Sequence, residues 1–292
     1  MADKNKNQNL TASALARPIR LAGQIPARRL HSRPVSDFDL RFGGIQRLYS
    51  ADGLRRLRAA HVCVVGIGGV GSWAVEALAR SGIGNITMVD LDDVCVTNIN
   101  RQLPAFDGSV GRSKVSVMAE RIRAINPECR IHAVSDFFTE TTAEEILTPK
   151  FDYVLDAIDK VTNKCLLIAR CREKNYPVVS TGGAGGRRDP GAVLMADLAW
   201  TNHDALLQQV RKKLRDEHGF PREAKKLFGV PCVFSQEPQV YPGKEGTICA
   251  EPASGEAVRM NCDTGYGSAT FVTGTFGFFA AAHIVSELAK SR

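Results

Sequence analysis

No two of the eight cysteines, at positions 63, 95, 129, 165, 171, 232, 249 and 262, stand two residues apart. The CxxC pairs that build four-thiolate zinc sites are therefore missing, and no structural zinc is expected. Cys63, Cys129 and Cys165 fall in apolar strand or helix patterns and read as small core residues. Free thiols of this kind suit a reducing cytoplasm. Residues 1–36 lack the apolar run of a secretory signal and hold a single acid, Asp3, against seven basic groups. They also lack the amphipathic stripe of a transit peptide, so residues 1–37 read as a disordered, solvated basic extension. That extension carries +6 of the formal +7, leaving the rest of the chain at +1. The pI of about 9.0 is thus weak evidence for a nucleic-acid-binding body. Long hydrophobic runs are missing too. The most apolar stretch, residues 269–282, is broken by Thr and Gly and is short for a bilayer, so a buried terminal helix or strand–helix element is expected rather than a membrane span.

What is present is concentrated around residue 66. The apolar, β-branched run His61–Val65 ends in Gly66-Ile67-Gly68-Gly69-Val70-Gly71-Ser72 and opens into Trp73–Arg80, which has helical spacing. Glycines at 66, 68 and 71 permit a tight turn and close approach of backbone to phosphate, and the helix start directs free N–H groups at an anion. A second strand, Asn85–Val89, leads to Asp90, placed to accept from a ribose hydroxyl. A nicotinamide dinucleotide would need only this much; ATP chemistry also needs cations for the remaining phosphate charge. Arg101 and Lys114 supply a forked donor and a point charge just downstream. Asp159, at the end of the strand-like run 151–159, is a candidate magnesium ligand on the same sheet edge.

Strand and helix patterns alternate over 61–66, 70–81, 85–90, 113–125, 129–135, 151–156, 163–174 and 177–181. Alternation of this kind predicts an α/β fold, a Rossmann-like, mostly parallel sheet with helices on both faces. Gly182–Gly186 breaks the rhythm and Ala192–Asp197 reads as an antiparallel strand, so a smaller mixed C-terminal portion is expected. The division is then a nucleotide-binding core over 38–186 and a continuation of the same globular unit over 187–292, with a helix over 204–217 and a long functional loop over 219–266. Between 211 and 226 lie Arg211, Lys212, Lys213, Arg215, Arg222, Lys225 and Lys226 against three acids. This cationic patch is a candidate RNA contact, with Phe220 or Phe228 to stack on a base; the alternative is a solvated helix face.

Gly66–Ser72, Asp90-x-Asp92, Asn98-x-Asn100-Arg101-Gln102, Lys114, Ile125-Asn126-Pro127 and Asp156-x-x-Asp159 together resemble the ubiquitin-activating-enzyme-like adenylating superfamily, which includes the ThiF, MoeB and HesA types. Arg41–Gly44, Asp93–Asn98, Ser180–Gly186 and Gly229–Ser235 resemble one branch of it, the tRNA threonylcarbamoyladenosine dehydratases, from about residue 38 to the end. The resemblance implies ATP with magnesium as cofactors, held by Gly66, Gly68, Gly69, Gly71, Asp90, Asp92, Asn98, Arg101, Gln102 and Lys114. It implies catalysis by Arg101, Lys114 and Asp159, and a tRNA substrate whose threonyl carboxylate is adenylated before ring closure. It further implies a homodimer and an association with a cysteine desulfurase or sulfur acceptor.

Cys232 lies where relatives carry or approach the acceptor, so it is a candidate thioester nucleophile, or equally a buried thiol in a short strand. Three other functions fit parts of the pattern. Activation of a ubiquitin-like sulfur carrier is weakened by the missing zinc cysteines and by Gly43-Gly44, where carrier enzymes tend to place an arginine. That departure leaves Arg41 or Arg47 as the arginine that reaches a partner's ATP. A nicotinamide oxidoreductase leaves Arg101 and Lys114 without a task, and so does a non-catalytic nucleotide sensor.

Overall fold

The computed structural model describes residues 37–223, 226–243, 246–250 and 266–291. Its centre is a seven-stranded sheet built from β1 (His61–Val65), β2 (Asn85–Val89), β3 (Arg130–Val134), β4 (Tyr153–Asp156), β5 (Val178–Thr181), β6 (Val193–Asp197) and β7 (Pro231–Ser235). The strand order is β3-β2-β1-β4-β5-β7-β6. All neighbours pair in parallel except β6 with β7. Crossover helices cover both faces, as expected for such a sheet. Along β1, Val62 and Val64 enter the core on one face and Cys63 and Val65 the core on the other, so the strand reads as an unbroken apolar run.

One face packs against α1 (Asp37–Ala59), α2 (Gly71–Arg80), α3 (Lys114–Ile125) and α7 (Thr270–Ala289). The other packs against α4 (Ala143–Ile146), α5 (Val161–Glu173) and α6 (Ala205–Glu217). A two-stranded antiparallel pair, β8 (Tyr241–Pro242) and β9 (Ile248–Cys249), stands apart from the main sheet. Residues 36–292 form one compact unit.

Helix α1 was not legible in the sequence. Its buried residues Phe38, Phe42, Leu54 and Leu57 are separated by a kink at Ser50, whose φ is 69° and ψ 168°, so the apolar period is lost midway. The expected loop over 219–266 also needs correction, because it contains β7. This strand inserts between β5 and β6, pairing Ser180 with Cys232 on one side and Ala196 with Cys232 on the other. Pro231 opens the strand, where a missing N–H costs the ladder little. The antiparallel strand β6 is thereby moved to the sheet edge. Lys225, Cys262 and residues 1–36 lie outside the described residues, and so do the expectations placed on them.

Helix α7 is long and apolar enough to span a bilayer by composition. One face of it enters the core, where Val272, Phe276, Ala280, Ile284 and Val285 are buried, while Phe271, Phe278 and Phe279 on the other side are exposed. A Cβ on Gly277 would lie 2.6 Å from the Val70 carbonyl oxygen, so α7 and the start of α2 approach backbone to backbone.

Candidate active site

The loops after β1, β2, β4 and β5 gather at one carboxyl edge of the sheet, where open α/β folds bind ligands. The turn from β1 into α2 is shaped by its glycines. Gly66 has φ +92°, and a Cβ there would meet the Ala157 carbonyl oxygen at 2.6 Å. A Cβ on Gly71 would fall 1.8 Å from the Gly66 oxygen, which no side chain tolerates. A Cβ on Gly68 would meet only the Gln102 amide nitrogen, at 3.9 Å, whereas one on Gly69 would press on Thr273 at 3.3 Å and on Arg101 Cγ at 3.5 Å. No side chain caps the start of α2, whose positive dipole end lies at the glycine turn, with the Ser72 N–H already donated to the Gly68 carbonyl at 3.2 Å.

Asp90, 9% exposed, follows β2. Its carboxylate accepts from the Ile67 N–H at 2.6 Å and the Asp92 N–H at 2.9 Å, tying the glycine turn to the next loop. Burial pushes its carboxyl up, while Lys114 and the two amides oppose the shift. Each oxygen retains a lone pair for a ribose hydroxyl. Lys114, 5% exposed at the start of α3, donates to Asp92 Oδ2 at 2.8 Å. A buried ammonium paired with an exposed carboxylate is a charge that a phosphate could take over with little movement.

Arg101 is held over the turn by its own backbone, since its carbonyl accepts from Trp73 Nε1 at 3.1 Å and from Thr273 Oγ1 at 3.4 Å. Among the described residues its guanidinium donates to the Thr97 carbonyl and Asn100 Oδ1 on its own loop. Asn98 is buried, and its side chain accepts from the Cys95 N–H, shaping that loop rather than facing the groove. Gln102 is 8% exposed and its Oε1 has no partner, an orphaned acceptor beside the cradle. Ser72 links these parts: its hydroxyl donates to the Gly68 carbonyl at 2.6 Å and accepts from the Leu103 N–H.

The loop after β4 carries Asp159, exposed and without a hydrogen-bond partner among the described residues. Beneath it lies a pair that sequence reasoning only half saw. Asp156 and Lys164 are fully buried and 2.8 Å apart, and Ser180 donates to the same carboxylate oxygen at 2.6 Å. Asp156 belongs to the recognised motif, but Lys164 sits in an apolar helix face and gave no signal. Cys232 is fully buried in β7, and burial pushes its thiol up. As placed, it is a protonated core thiol rather than a poised nucleophile.

The basic patch divides. Phe220 and Phe228 are 3% and 8% exposed and lie 5.0 Å apart beneath Arg172 and Arg215, so neither can stack on a base, contrary to expectation. Their burial follows from the tight return of the chain after α6. Arg211 donates to Thr201, Lys213 pairs with Glu217, Arg215 donates to the Pro221 carbonyl and Arg222 pairs with Asp216. Lys212 and Lys226 remain exposed, with no side-chain partner among the described residues.

A tRNA threonylcarbamoyladenosine dehydratase from Haemophilus influenzae is 48% identical over 259 residues, covering 88% of this chain and 97% of that protein. The crystal structure of the Escherichia coli tRNA N6-threonylcarbamoyladenosine dehydratase in complex with ATP superposes with TM-score 0.77 at 47% identity, over 87% of this chain and 96% of that one. Its complex with AMP gives the same TM-score and identity, over 88% and 98%. The ThiF family pattern matches residues 44–289, and the chain belongs to that family.

Proposed function

We propose that the chain catalyses the ATP-dependent cyclisation of N6-threonylcarbamoyladenosine in tRNA, with net loss of water. The observation that carries this is the glycine cradle at the carboxyl edge, with Lys114 and Arg101 beside it. That set fits a triphosphate better than a dinucleotide, and relatives that cover nearly the whole chain bear this activity in their names and bind ATP and AMP.

In this reading ATP lies on Gly66–Gly71 with its ribose on Asp90. Lys114 leaves Asp92 for a phosphate oxygen, and Arg101 swings from its loop carbonyl to another. The threonyl carboxylate attacks the α-phosphorus, one carboxylate oxygen forms the new P–O bond, and the bond to pyrophosphate breaks. An atom of the neighbouring ureido group then attacks the activated carbonyl, loses its proton, and expels AMP with that oxygen. Ring closure is intramolecular, so the protein's main task is charge stabilisation at the α-phosphate. Asp159, an exposed hard oxygen donor, fits a magnesium ion, which when bound neutralises phosphate charge. Lys212 and Lys226 serve the RNA backbone, and Arg211, Lys213, Arg215, Arg222 and Lys225 add to the field there. A cytoplasmic homodimer is part of the same reading. Within it, Arg41 is engaged by Asp37 and the Ile125 carbonyl, which leaves Arg47, also exposed on α1, as the one of the two candidates to reach across.

The test is acceptor-dependent cleavage of labelled ATP. AMP and pyrophosphate should appear with threonylcarbamoylated tRNA, which loses the mass of one water, and not with unmodified tRNA. Cleavage driven by a ubiquitin-like carrier protein would replace this reading with sulfur-carrier activation.

A further inference from the structure

Ile158 is the residue immediately before Asp159, and both of its backbone polar groups are held by buried charges. Its N–H donates to Asp156 Oδ1 at 3.1 Å, and its carbonyl accepts from Lys164 Nζ at 2.9 Å. The same Asp156 and Lys164 form the fully buried pair at 2.8 Å, with Ser180 from β5 donating to the carboxylate and Thr181 Oγ1 donating to the Asp156 carbonyl. One residue earlier, the Ala157 N–H donates to the Val65 carbonyl. The Ala157 carbonyl lies directly beneath Gly66, where a Cβ would strike it at 2.6 Å. The loop from 157 to 159 is thus clamped to the end of β1 on one side and to a buried ion pair on the other.

A buried pair of this kind is a weak source of stability. Replacing both partners by apolar groups of similar size is often neutral or better, whereas removing one leaves an uncompensated charge. Holding loop geometry gives this pair a reason to exist beyond stability. We infer that Lys164, with Asp156, is a positioning residue that fixes the 157–159 loop, aiming the Asp159 carboxylate at the metal–phosphate region and setting the floor of the glycine turn. This rests on the adenylation reading for the role of Asp159, but the clamp itself does not.

The two claims are tested separately in the full chain. The double variant Asp156→Leu/Lys164→Met removes both charges together, whereas Lys164→Gln keeps N–H donors without the charge and Lys164→Arg keeps donors and charge. Amide hydrogen exchange over 157–160 reads the clamp, and tRNA-dependent AMP formation with a magnesium titration reads its consequence. In the double variant the loop should exchange at least about 10-fold faster. Turnover should fall about 100-fold, the scale of a small misplacement of reacting groups, and half-maximal magnesium should rise, while AMP binding stays within about 3-fold and melting changes little. Lys164→Arg should recover loop protection and rate together, with Lys164→Gln between. If the double variant does not fold, the Gln and Arg variants decide by the same criterion. A folded variant whose loop is freed while rate and magnesium dependence are kept, or whose loop stays protected while rate is lost, overturns the inference. A parent protein that forms no AMP would sink the adenylation reading instead, leaving the exchange measurement to judge the clamp.

Discussion

Lys114 is 5% exposed and makes one ion pair, to the exposed Asp92 carboxylate. Its removal therefore breaks little that holds the fold, whereas a phosphate would lose its main point charge. Lys114→Ala should lower turnover by about 100-fold or more with a nearly unchanged melting temperature. Arg101→Ala should behave likewise, since its guanidinium bonds stay within its own loop. Full activity in Lys114→Ala would sink the adenylation mechanism. Cys232 points to the opposite outcome. It pairs with Ser180 of β5 and Ala196 of β6 in the sheet, its thiol is fully buried, and a ureido group already tethered beside the activated carboxyl gains nothing in proximity from a thioester. Cys232→Ser should retain measurable cyclisation, slowed less than by the Lys114 change. Trapping RNA on the protein through a hydroxylamine-sensitive bond that Cys232→Ser lacks would reverse this view.

At the scale of elements, α2 is the piece that both stability and binding depend on. Its start is the anion-facing end of the glycine turn, and its middle is bolted to α3. Glu76, with its side chain 7% exposed, accepts from Arg80 at 2.8 Å and from Arg121 of α3 at 2.7 and 2.8 Å. Burial alone would push the Glu76 carboxyl up; the two arginines outweigh it and hold the group below the usual range. A depressed carboxyl contributes stability that is complete above its unfolded pKa, about 4.3, and is lost as pH falls through the folded value. Glu76→Gln should therefore be less stable than the parent by about 1–3 kcal/mol near neutrality. Denaturant titrations at successive pH values should show that gap level above about pH 6 and narrowing below about pH 4. A gap that does not change with pH would mean the arginines contribute no charge-specific stability.

On the whole molecule, positive and negative groups nearly balance outside the N-terminal segment, which carries +6 of the formal +7. In the proposed reading, contact with the tRNA backbone then falls to a few cations of the basic run. Lys212 and Lys226 are the exposed members of the basic run whose side chains are uncommitted among the described residues. The double variant Lys212→Glu/Lys226→Glu should weaken tRNA binding and lower the salt slope of log K by about 2, leaving ATP affinity unchanged. An unaltered slope in filter binding across salt concentrations would move the RNA surface elsewhere on the molecule.

The parallel sheet and the nucleotide turn were written in the sequence because both depend on neighbours in the chain. Val62–Val65 must be apolar on both faces to lie between two layers, and Gly66 and Gly71 must lack side chains to pass so close to Ala157 and to each other. Asp90, Arg101 and Lys114 could be marked because each follows its motif within a few residues. What depends on distant partners was hidden. The kink at Ser50 disguised α1, and β7 emerged from a glycine- and proline-rich stretch only because β5 and β6 left a gap between them. Phe220 and Phe228 look like surface aromatics until the return after α6 folds them together under two arginines. Lys164 is the sharpest case: a lysine in an apolar helical pattern has no meaning until β4 and β5 bring Asp156 and Ser180 to meet it, since the worth of a buried charge is set by the partners the tertiary structure supplies.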